Sequence, residues 1–131
     1  MNIAVTGGAG FIGSHIVERL VERGDNVIVI DNLITGKKDN LKKVWNKIDF
    51  LEIDIRNFDE LKVKLKDIDG IFHEAALASV QDSFVKPEEY HDVNVKGTEN
   101  IFQLAKEFGF KVVYASSSSV YGNPEKIPIK E

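Results

Sequence analysis

The sequence predicts an α/β fold in which helices cover both faces of a doubly wound parallel sheet. Five short apolar segments, which we predict as strands, alternate with segments whose apolar residues recur every three or four positions, as in helices. This alternation favours parallel strands joined by right-handed helical crossovers. A glycine-rich segment, residues 7–13, joins the first strand to the first helix. We expect one domain that covers residues 1–131.

The elements follow in chain order from apolar runs and from residues that begin or end helices. We predict strands at 2–6, 26–31, 48–53, 69–74 and 111–115, and helices at 11–23, 38–46, 58–66 and 88–108. Pro87 suits the first turn of the long helix because its φ is fixed, and Gly109 is a natural helix end. The apolar residues of this helix have the spacing of a buried stripe: Tyr90, Val93, Ile101, Leu104, Ala105 and Phe108. In the short helix we expect Trp45 to pack.

Glycines at positions 7, 10 and 13 have a spacing that suits a phosphate-bearing ligand. Gly7 permits a tight turn, Gly10 lets the backbone approach a pyrophosphate, and Gly13 lets the helix lie close to the sheet. The helix N-terminus would present free N–H groups and partial positive charge to the phosphates. The spacing G-x-x-G-x-x-G differs from the commonest dinucleotide fingerprint, G-x-G-x-x-G. A glycine-rich turn without a ligand is therefore the alternative interpretation.

Asp31 ends the second predicted strand, eighteen residues after Gly13. A carboxylate at this place can accept a hydrogen bond from a ribose 2′-hydroxyl and would repel a 2′-phosphate. Asn32 follows rather than arginine, so the sequence favours NAD over NADP, although Lys37 and Lys38 lie nearby in the chain. The alternative interpretation of Asp31 is an ordinary turn residue at a strand end.

The remaining strands also end in polar or small residues. Asp54 and Ile55 follow strand three, where a carboxylate could meet an adenine amino group and an apolar side chain its ring. Strand four ends at 73–77 with two alanines, which leave room for a dinucleotide to pass, and strand five ends at four serines, 116–119. Because ligands bind at the carboxyl ends of parallel strands, these residues on one rim favour an extended ligand.

Composition excludes several classes of protein. Hydrophobic residues make up 43% of the 131 residues, as in ordinary globular domains, and the net charge of −4 argues against a nucleic-acid surface. The chain has no cysteine, and none of its three histidines has a second ligand at metal spacing, so no metal site is expected. No apolar run is long enough to span a membrane, and no signal peptide is seen, so we expect a cytoplasmic protein with no membrane partner.

Six blocks of the chain resemble the extended short-chain dehydrogenases/reductases, and among them the NAD-dependent sugar epimerase/dehydratase family. The blocks are T-G-G-A-G-F-I-G-S-H (6–15), D-N-L (31–33), D-I-R (54–56), H-E-A-A (73–76), N-V-K-G-T (94–98) and S-S-S-S-V-Y-G-N (116–123). They follow the order of the family along nearly the whole chain. The resemblance implies a Rossmann fold, NAD as cofactor and a nucleotide sugar as substrate.

The resemblance also implies a role for each matching residue. The implied cofactor contacts are Gly7, Gly10, Phe11, Ile12 and Gly13 at the pyrophosphate, Asp31, Asn32 and Gly36 at the adenosine ribose, Asp54 and Ile55 at the adenine, Ala75 and Ala76 near the nicotinamide, and Asn94 and Ser116. Asn94 is implied to tie together the loops after strands four and five. Ser117 matches the family's catalytic Ser/Thr, whose hydroxyl hydrogen-bonds the substrate oxygen that gains or loses a proton.

The proton-transfer motif of the family does not occur in this chain. In the family it is Tyr-x-x-x-Lys, in which the lysine lowers the tyrosine pKa so that a phenolate takes the proton while hydride moves to NAD. Here Tyr90 is followed by Asn94 at that spacing, and Tyr114 by Ser118. We therefore expect a chain that is truncated after strand five, lacks the substrate domain and is inactive alone.

Two interpretations of function stay open. In the first, the chain is the NAD-binding part of a nucleotide-sugar epimerase of the UDP-glucose/UDP-galactose type, which transfers hydride through a 4-keto intermediate, or of a related dehydratase or decarboxylase. In the second, it is a stand-alone NAD-binding or interaction module. Serines at 117–119 favour epimerase chemistry, because a dehydratase would prefer Thr-Asp-Glu there as acid and base. In either case we expect a homo-oligomer, through the strand-five edge or the long helix that relatives use for dimer packing.

Overall fold

The computed structural model describes residues 1–129, which form a five-stranded parallel sheet with helices on both faces. The strands are β1 (Asn2–Thr6), β2 (Asn26–Ile30), β3 (Ile48–Leu51), β4 (Gly70–His73) and β5 (Lys111–Tyr114). Their order across the sheet is β3-β2-β1-β4-β5, and every neighbouring pair is parallel. The strand order reverses at β1 and β4, which is the topological switch point where ligands bind in such sheets. The predicted doubly wound α/β fold is confirmed.

Helices cover both faces of the sheet and enclose one hydrophobic core on each face. They are α1 (Phe11–Arg23), α2 (Phe58–Leu65), α3 (Val80–Val85), α4 (Pro87–His91) and α5 (Thr98–Phe108), with a π-helical segment (Asp92–Gly97) between the last two. Successive residues of β1 point to opposite faces of the sheet. Ile3 and Val5 pack with Val17 of α1, whereas Ala4 packs with Leu61 of α2 and Ile101 of α5.

Glycines end the two longest helices, and the sequence predicts this for Gly109. Gly24 follows α1 with φ 87°, and its N–H donates to the carbonyls of Leu20 and Val21. Gly109 follows α5 with φ 81°. Both φ values lie in the left-handed region, where glycine carries no steric penalty. These stops return the chain to the sheet at β2 and β5.

The prediction of a helix at 38–46 is wrong. The segment forms two short 3-10 turns, Lys38–Leu41 and Trp45–Lys47. Its two buried residues, Leu41 and Val44, are three positions apart, which matches the three residues per turn of a 3-10 helix. Trp45 packs as expected, with its ring centroid 5.2 Å from that of Phe50.

The predicted long helix begins and ends where expected, but it is not a regular α-helix. The π-helical segment interrupts it at Asp92–Gly97. Sequence reasoning also placed no helix between β4 and Pro87, where α3 lies. This short helix has no buried residue, so it carries no amphipathic pattern that would reveal it; Ser79 caps it by accepting a hydrogen bond from the Asp82 N–H at 3.3 Å.

Candidate functional site

A cleft of about 310 Å³ opens at the carboxyl ends of the central strands. It lies at the switch point of the sheet, where α/β proteins bind their ligands. The predicted site residues in its wall are Gly7, Gly10, Phe11, Ile12, Gly13, Asp31, Asn32, Ile55, Ala75 and Ala76. Residues outside the predicted site set complete it: Ile34, Thr35, Ile53, Glu74, Leu77 and Val93. The predicted residues Gly36, Asp54, Asn94, Ser116 and Ser117 do not line this cleft.

The glycines shape the turn between β1 and α1. Gly7 has φ 66°, and a Cβ built on it would lie 2.8 Å from the Ala75 backbone nitrogen. A Cβ on Gly13 would overlap the carbonyl oxygen of Gly7, and one on Gly10 would lie 3.1 Å from the same oxygen. Gly8, which the sequence analysis did not single out, would place a Cβ 2.7 Å from Val29. Close backbone packing therefore requires glycine at most of these positions.

The N-terminus of α1 faces the cleft with unpaired N–H groups. The first hydrogen bond of the helix runs from the Ser14 N–H to the Gly10 carbonyl at 3.1 Å, so the N–H groups of Phe11, Ile12 and Gly13 have no intrahelical partner. The first turn contains no acidic residue to neutralise the positive end of the helix dipole. This end of the cleft is therefore suited to an anion.

Asp31 also lines the cleft, and it is buried. Its carboxylate accepts hydrogen bonds from the N–H of Ala9 at 2.9 Å and from that of Leu33 at 2.8 Å. Asp31 is thus a turn residue that also lines the cleft, and its contact with a ribose remains a prediction. A carboxylate has about four acceptor positions, which leaves two for ligand hydroxyls. A Cβ on Gly36 would lie 2.6 Å from an Asp31 carboxylate oxygen, so a side chain at this position would displace the carboxylate.

Ala9 joins the two sides of this site through its backbone. Its N–H donates to Asp31, and its carbonyl accepts from the Lys37 N–H at 3.0 Å and from Asn40 Nδ2 at 2.8 Å. Leu33 completes the turn with φ 59°, an uncommon value for leucine. The sequence does not reveal the roles of Ala9 and Leu33, because backbone hydrogen bonds leave no pattern of side-chain types.

Asp54 lies beside the cleft but is already fully hydrogen-bonded. Arg56 donates to both carboxylate oxygens from its guanidinium, at 2.9 and 2.8 Å, and from its backbone N–H at 2.9 Å. Asn32 Nδ2 donates at 2.9 Å. The hydrogen bonds from Arg56 lower the pKa of Asp54 to about 2. An adenine contact by Asp54 remains a prediction, and it would require one of these donors to be displaced, whereas Ile55 already faces the cleft.

The loop after β4 forms the other wall. Glu74, Ala75, Ala76 and Leu77 line the cleft, and partial burial raises the pKa of the Glu74 carboxyl. Asn94, in the π-helical segment, holds this loop with two hydrogen bonds to Leu77: its Oδ1 accepts from the N–H at 2.8 Å, and its Nδ2 donates to the carbonyl at 2.9 Å.

The serines after β5 lie on the exposed end of the sheet. Ser117 begins a short 3-10 turn, Ser118–Tyr121, and its Oγ accepts from the Ser119 N–H at 3.2 Å. The same hydroxyl donates to Ser119 Oγ at 3.2 Å. Ser116 is likewise exposed. A catalytic role for Ser117 therefore remains a prediction.

Residues 1–129 contain neither a candidate metal cluster nor a helix that could span a membrane. In that range, no three of the histidine, aspartate or glutamate side chains come together in a group that could hold a metal ion. None of the helices there has the length and apolarity needed to cross a membrane.

Comparison with known proteins decides the family. Residues 3–131 match the NAD dependent epimerase/dehydratase family. The chain belongs to this family. It is 42% identical over 134 residues to the UDP-glucose 4-epimerase of Lacticaseibacillus casei, a match that covers all of the chain but 40% of that protein. It is also 42% identical over 131 residues to UDP-glucuronic acid decarboxylase 1 of Arabidopsis thaliana, covering all of the chain and 29% of that protein.

A solved structure shows the same fold. The UDP-glucose 4-epimerase of Thermus thermophilus, determined in complex with NAD, superposes with a TM-score of 0.89 at 39% identity over all of this chain and 43% of that one. The chain therefore spans less than half the length of these members of the epimerase/dehydratase family.

Proposed function

We propose that the chain is the NAD-binding part of a nucleotide-sugar 4-epimerase. One observation carries the proposal: the free N–H groups at the start of α1 and the buried Asp31 carboxylate face a single cleft. A dinucleotide has phosphates that suit the first group and a ribose diol that suits the second. The NAD bound by the Thermus thermophilus epimerase supports the same choice of cofactor.

The residues of the cleft fit the cofactor. Close packing of the backbone at Gly7 and Gly13 brings the start of α1 up to the cleft, where its N–H groups can meet a ligand. Phe11 and Ile12 are 79% and 62% exposed, so their side chains are available to cover a bound molecule. Asp31 is fixed in place by two backbone donors before any ligand arrives, which reduces the entropic cost of binding.

Within the reaction, this chain binds the cofactor and orients it. NAD, when bound, accepts and returns a hydride. The N–H groups of Phe11, Ile12 and Gly13 would hold its phosphates, Asp31 a ribose, and the Ala75–Ala76 wall would leave room for its other end. Ser117 would donate to or accept from the sugar hydroxyl, after its proton turns away from Ser119. The full reaction also requires a group that moves the proton, which is the role of Tyr-x-x-x-Lys in this family.

Epimerase chemistry is preferred over decarboxylation or dehydration. The relatives include a 4-epimerase and a decarboxylase at the same 42% identity, so overall similarity does not separate them. The three serines at 117–119, where a dehydratase would carry an acid and a base, favour epimerisation. Assay of the intact protein that contains this sequence, with UDP-glucose and with UDP-glucuronic acid, distinguishes the two reactions.

The binding proposal is tested by calorimetry with Asp31→Asn. We expect the unaltered chain to bind NAD more tightly than NADP, because Asp31 repels a 2′-phosphate. The substitution should weaken NAD by about 10- to 100-fold, the scale of a lost charged hydrogen bond. NADP binding should weaken much less, so the preference of the chain for NAD over NADP should shrink.

This ratio separates recognition from damage to the turn. Loss of the Ala9 and Leu33 hydrogen bonds would weaken both cofactors alike, and thermal unfolding reports that loss directly. Asp49→Asn, which removes an exposed carboxylate from β3, is the matched control and should leave both affinities unchanged. Equal binding of NAD and NADP by the unaltered chain would contradict the proposal.

A further inference from the structure

A buried histidine links three elements behind the cleft. His73, at the end of β4, is 1% exposed. Its Nδ1 lies 2.6 Å from Thr6 Oγ1 on β1, and its Nε2 lies 2.9 Å from Thr98 Oγ1 at the start of α5. Burial lowers the pKa of His73 to about 4, so its ring is neutral near neutral pH. Both ring nitrogens are therefore engaged, and only one of them carries a proton.

The neighbouring hydrogen bonds fix which nitrogen carries that proton. Thr98 Oγ1 donates to the Asn94 carbonyl at 2.7 Å, and a carbonyl can only accept. The single hydroxyl proton of Thr98 is thus used, so His73 Nε2 must donate to Thr98. Nδ1 of the neutral ring is then an acceptor, and the hydroxyl of Thr6 donates to it. This one arrangement of protons satisfies every group in the series of hydrogen bonds that links Thr6, His73 and Thr98.

This chain of hydrogen bonds ends on the loop that lines the cleft. Thr6 Oγ1 accepts from the Ala75 N–H at 3.3 Å, and the Thr6 carbonyl accepts from the Glu74 N–H at 3.2 Å. At the other end, Asn94 holds both backbone groups of Leu77. The two ends of the cleft wall at 74–77 are therefore attached to opposite ends of one hydrogen-bonded chain.

Building on the proposed function, we propose that His73, as the Nε2–H tautomer between Thr6 and Thr98, is a positioning residue that holds the cleft wall at 74–77 ready for the dinucleotide. It does not contact the ligand. It orients the Thr6 hydroxyl, which accepts from the Ala75 N–H, and the Thr98 hydroxyl, which donates to the Asn94 carbonyl. Removing the Thr98 hydroxyl should loosen this wall even though Thr98 is not among the residues that line the cleft.

The test compares Thr98→Val, which has a similar shape and no hydroxyl, with Thr98→Ser, which keeps the hydroxyl. We expect Thr98→Val to speed amide hydrogen exchange at Ala75 and Leu77 by about 3- to 10-fold, the scale of one net hydrogen bond. NAD affinity should fall by a similar factor. Thr98→Ser should restore both. The hydrogen-exchange rates of the central β1 amides should not change, which separates loop positioning from general destabilisation.

A second measurement uses the unaltered chain, so it does not depend on whether a variant folds. Nitrogen-15 shifts of the His73 ring should show a protonated Nε2 and a bare Nδ1. A protonated Nδ1, or unchanged exchange at Ala75 and Leu77 in folded Thr98→Val, would overturn the inference. If the unaltered chain does not bind NAD, the proposed function fails, whereas the exchange and tautomer results still decide the role of His73 in the loop.

Discussion

Ala9 has no functional side chain, yet its peptide groups organise the candidate site. Its N–H orients Asp31, and its carbonyl accepts from the loop that follows β2. The anion end of the cleft and the carboxylate end are thereby held at one separation. Side chains of the site can be predicted from the sequence because their chemistry is visible in the letters. Contacts made by the backbone of Ala9 or Leu33 cannot, because any residue supplies the same N–H and carbonyl.

A single titrating residue should dominate the acid sensitivity of the fold. The folded pKa of His73 is lowered to about 4 by burial, while the unfolded value is 6.5. The unfolded chain therefore binds a proton first, so stability is complete above pH 6.5 and falls as the pH drops towards 4. The loss should reach about 3 kcal/mol, from about 1.4 kcal/mol per tenfold change in proton affinity.

Denaturant unfolding between pH 7 and pH 4 measures this effect. His73→Gln should be less stable than the unaltered chain at pH 7 but should show a flatter dependence on pH. His91→Gln, a change of an exposed histidine on α4, is the control and should keep the original slope. An unchanged slope in His73→Gln would show that another group is responsible.

Among the elements, the strands and the helices α1 and α2 are predicted within two residues by apolar periodicity and turn residues. The ends of the long helix are predicted as well, but its π-helical interior is not, because that irregularity arises from tertiary contacts. In the π-helical segment Asn94 pairs with Leu77, and Gly97 packs against Ile55. Neither contact is encoded in the helical pattern itself, since each partner lies on a different part of the chain.

The packing of Gly97 gives a prediction for this element. A Cβ there would lie 2.6 Å from Cδ1 of Ile55, a buried residue that also lines the cleft. Gly97→Ala should therefore destabilise the fold by about 1–3 kcal/mol through overpacking. It should also weaken NAD binding, because Ile55 lines the cleft and must shift to make room for the new methyl group.

Chemical denaturation of a double-mutant cycle tests the contact. Ile55→Ala leaves space for the new methyl group, so the double variant should be more stable than the two single effects predict. Gly70→Ala, whose Cβ would lie at an ordinary 3.4 Å from Lys111, is the control. Strict additivity of Gly97→Ala and Ile55→Ala would argue against this explanation.

The whole molecule has apolar surface at one end of its sheet. β5 is an edge strand of the described residues, and Val113 and Tyr114 are 53% and 48% exposed. Phe102 on α5 lies next to Tyr114, with ring centroids 6.0 Å apart. Exposed apolar edges favour pairing with another chain.

We therefore expect the purified chain to associate. Light scattering at micromolar concentration should give a mass above the 14.7 kDa of one chain. Val113→Lys should disperse a dimer paired through β5 and leave a dimer paired through the long helix intact. Val63→Lys, at an exposed valine on α2, is the matched control. A mass of one chain throughout would refute association.

The chain alone should also show no 4-epimerase turnover. It lacks Tyr-x-x-x-Lys, and general acid–base groups typically contribute about 10²- to 10⁴-fold. A coupled assay with UDP-galactose measures this directly. Turnover that purifies with the chain and disappears in Ser117→Ala would contradict the expectation, whereas the same assay on the UDP-glucose 4-epimerase of Lacticaseibacillus casei is the positive control.

The tight packing around Gly7 and Gly13 has a consequence for tracing the history of such proteins. A descendant that had stopped using a dinucleotide would still need both glycines, because their neighbours are its own backbone rather than the ligand. Drift would appear first at the exposed Phe11 and Ile12, which the fold itself hardly constrains. Retention of the glycine pattern in a genome is therefore a record of ancestry, and the two apolar positions beside it are the better indicator of present use.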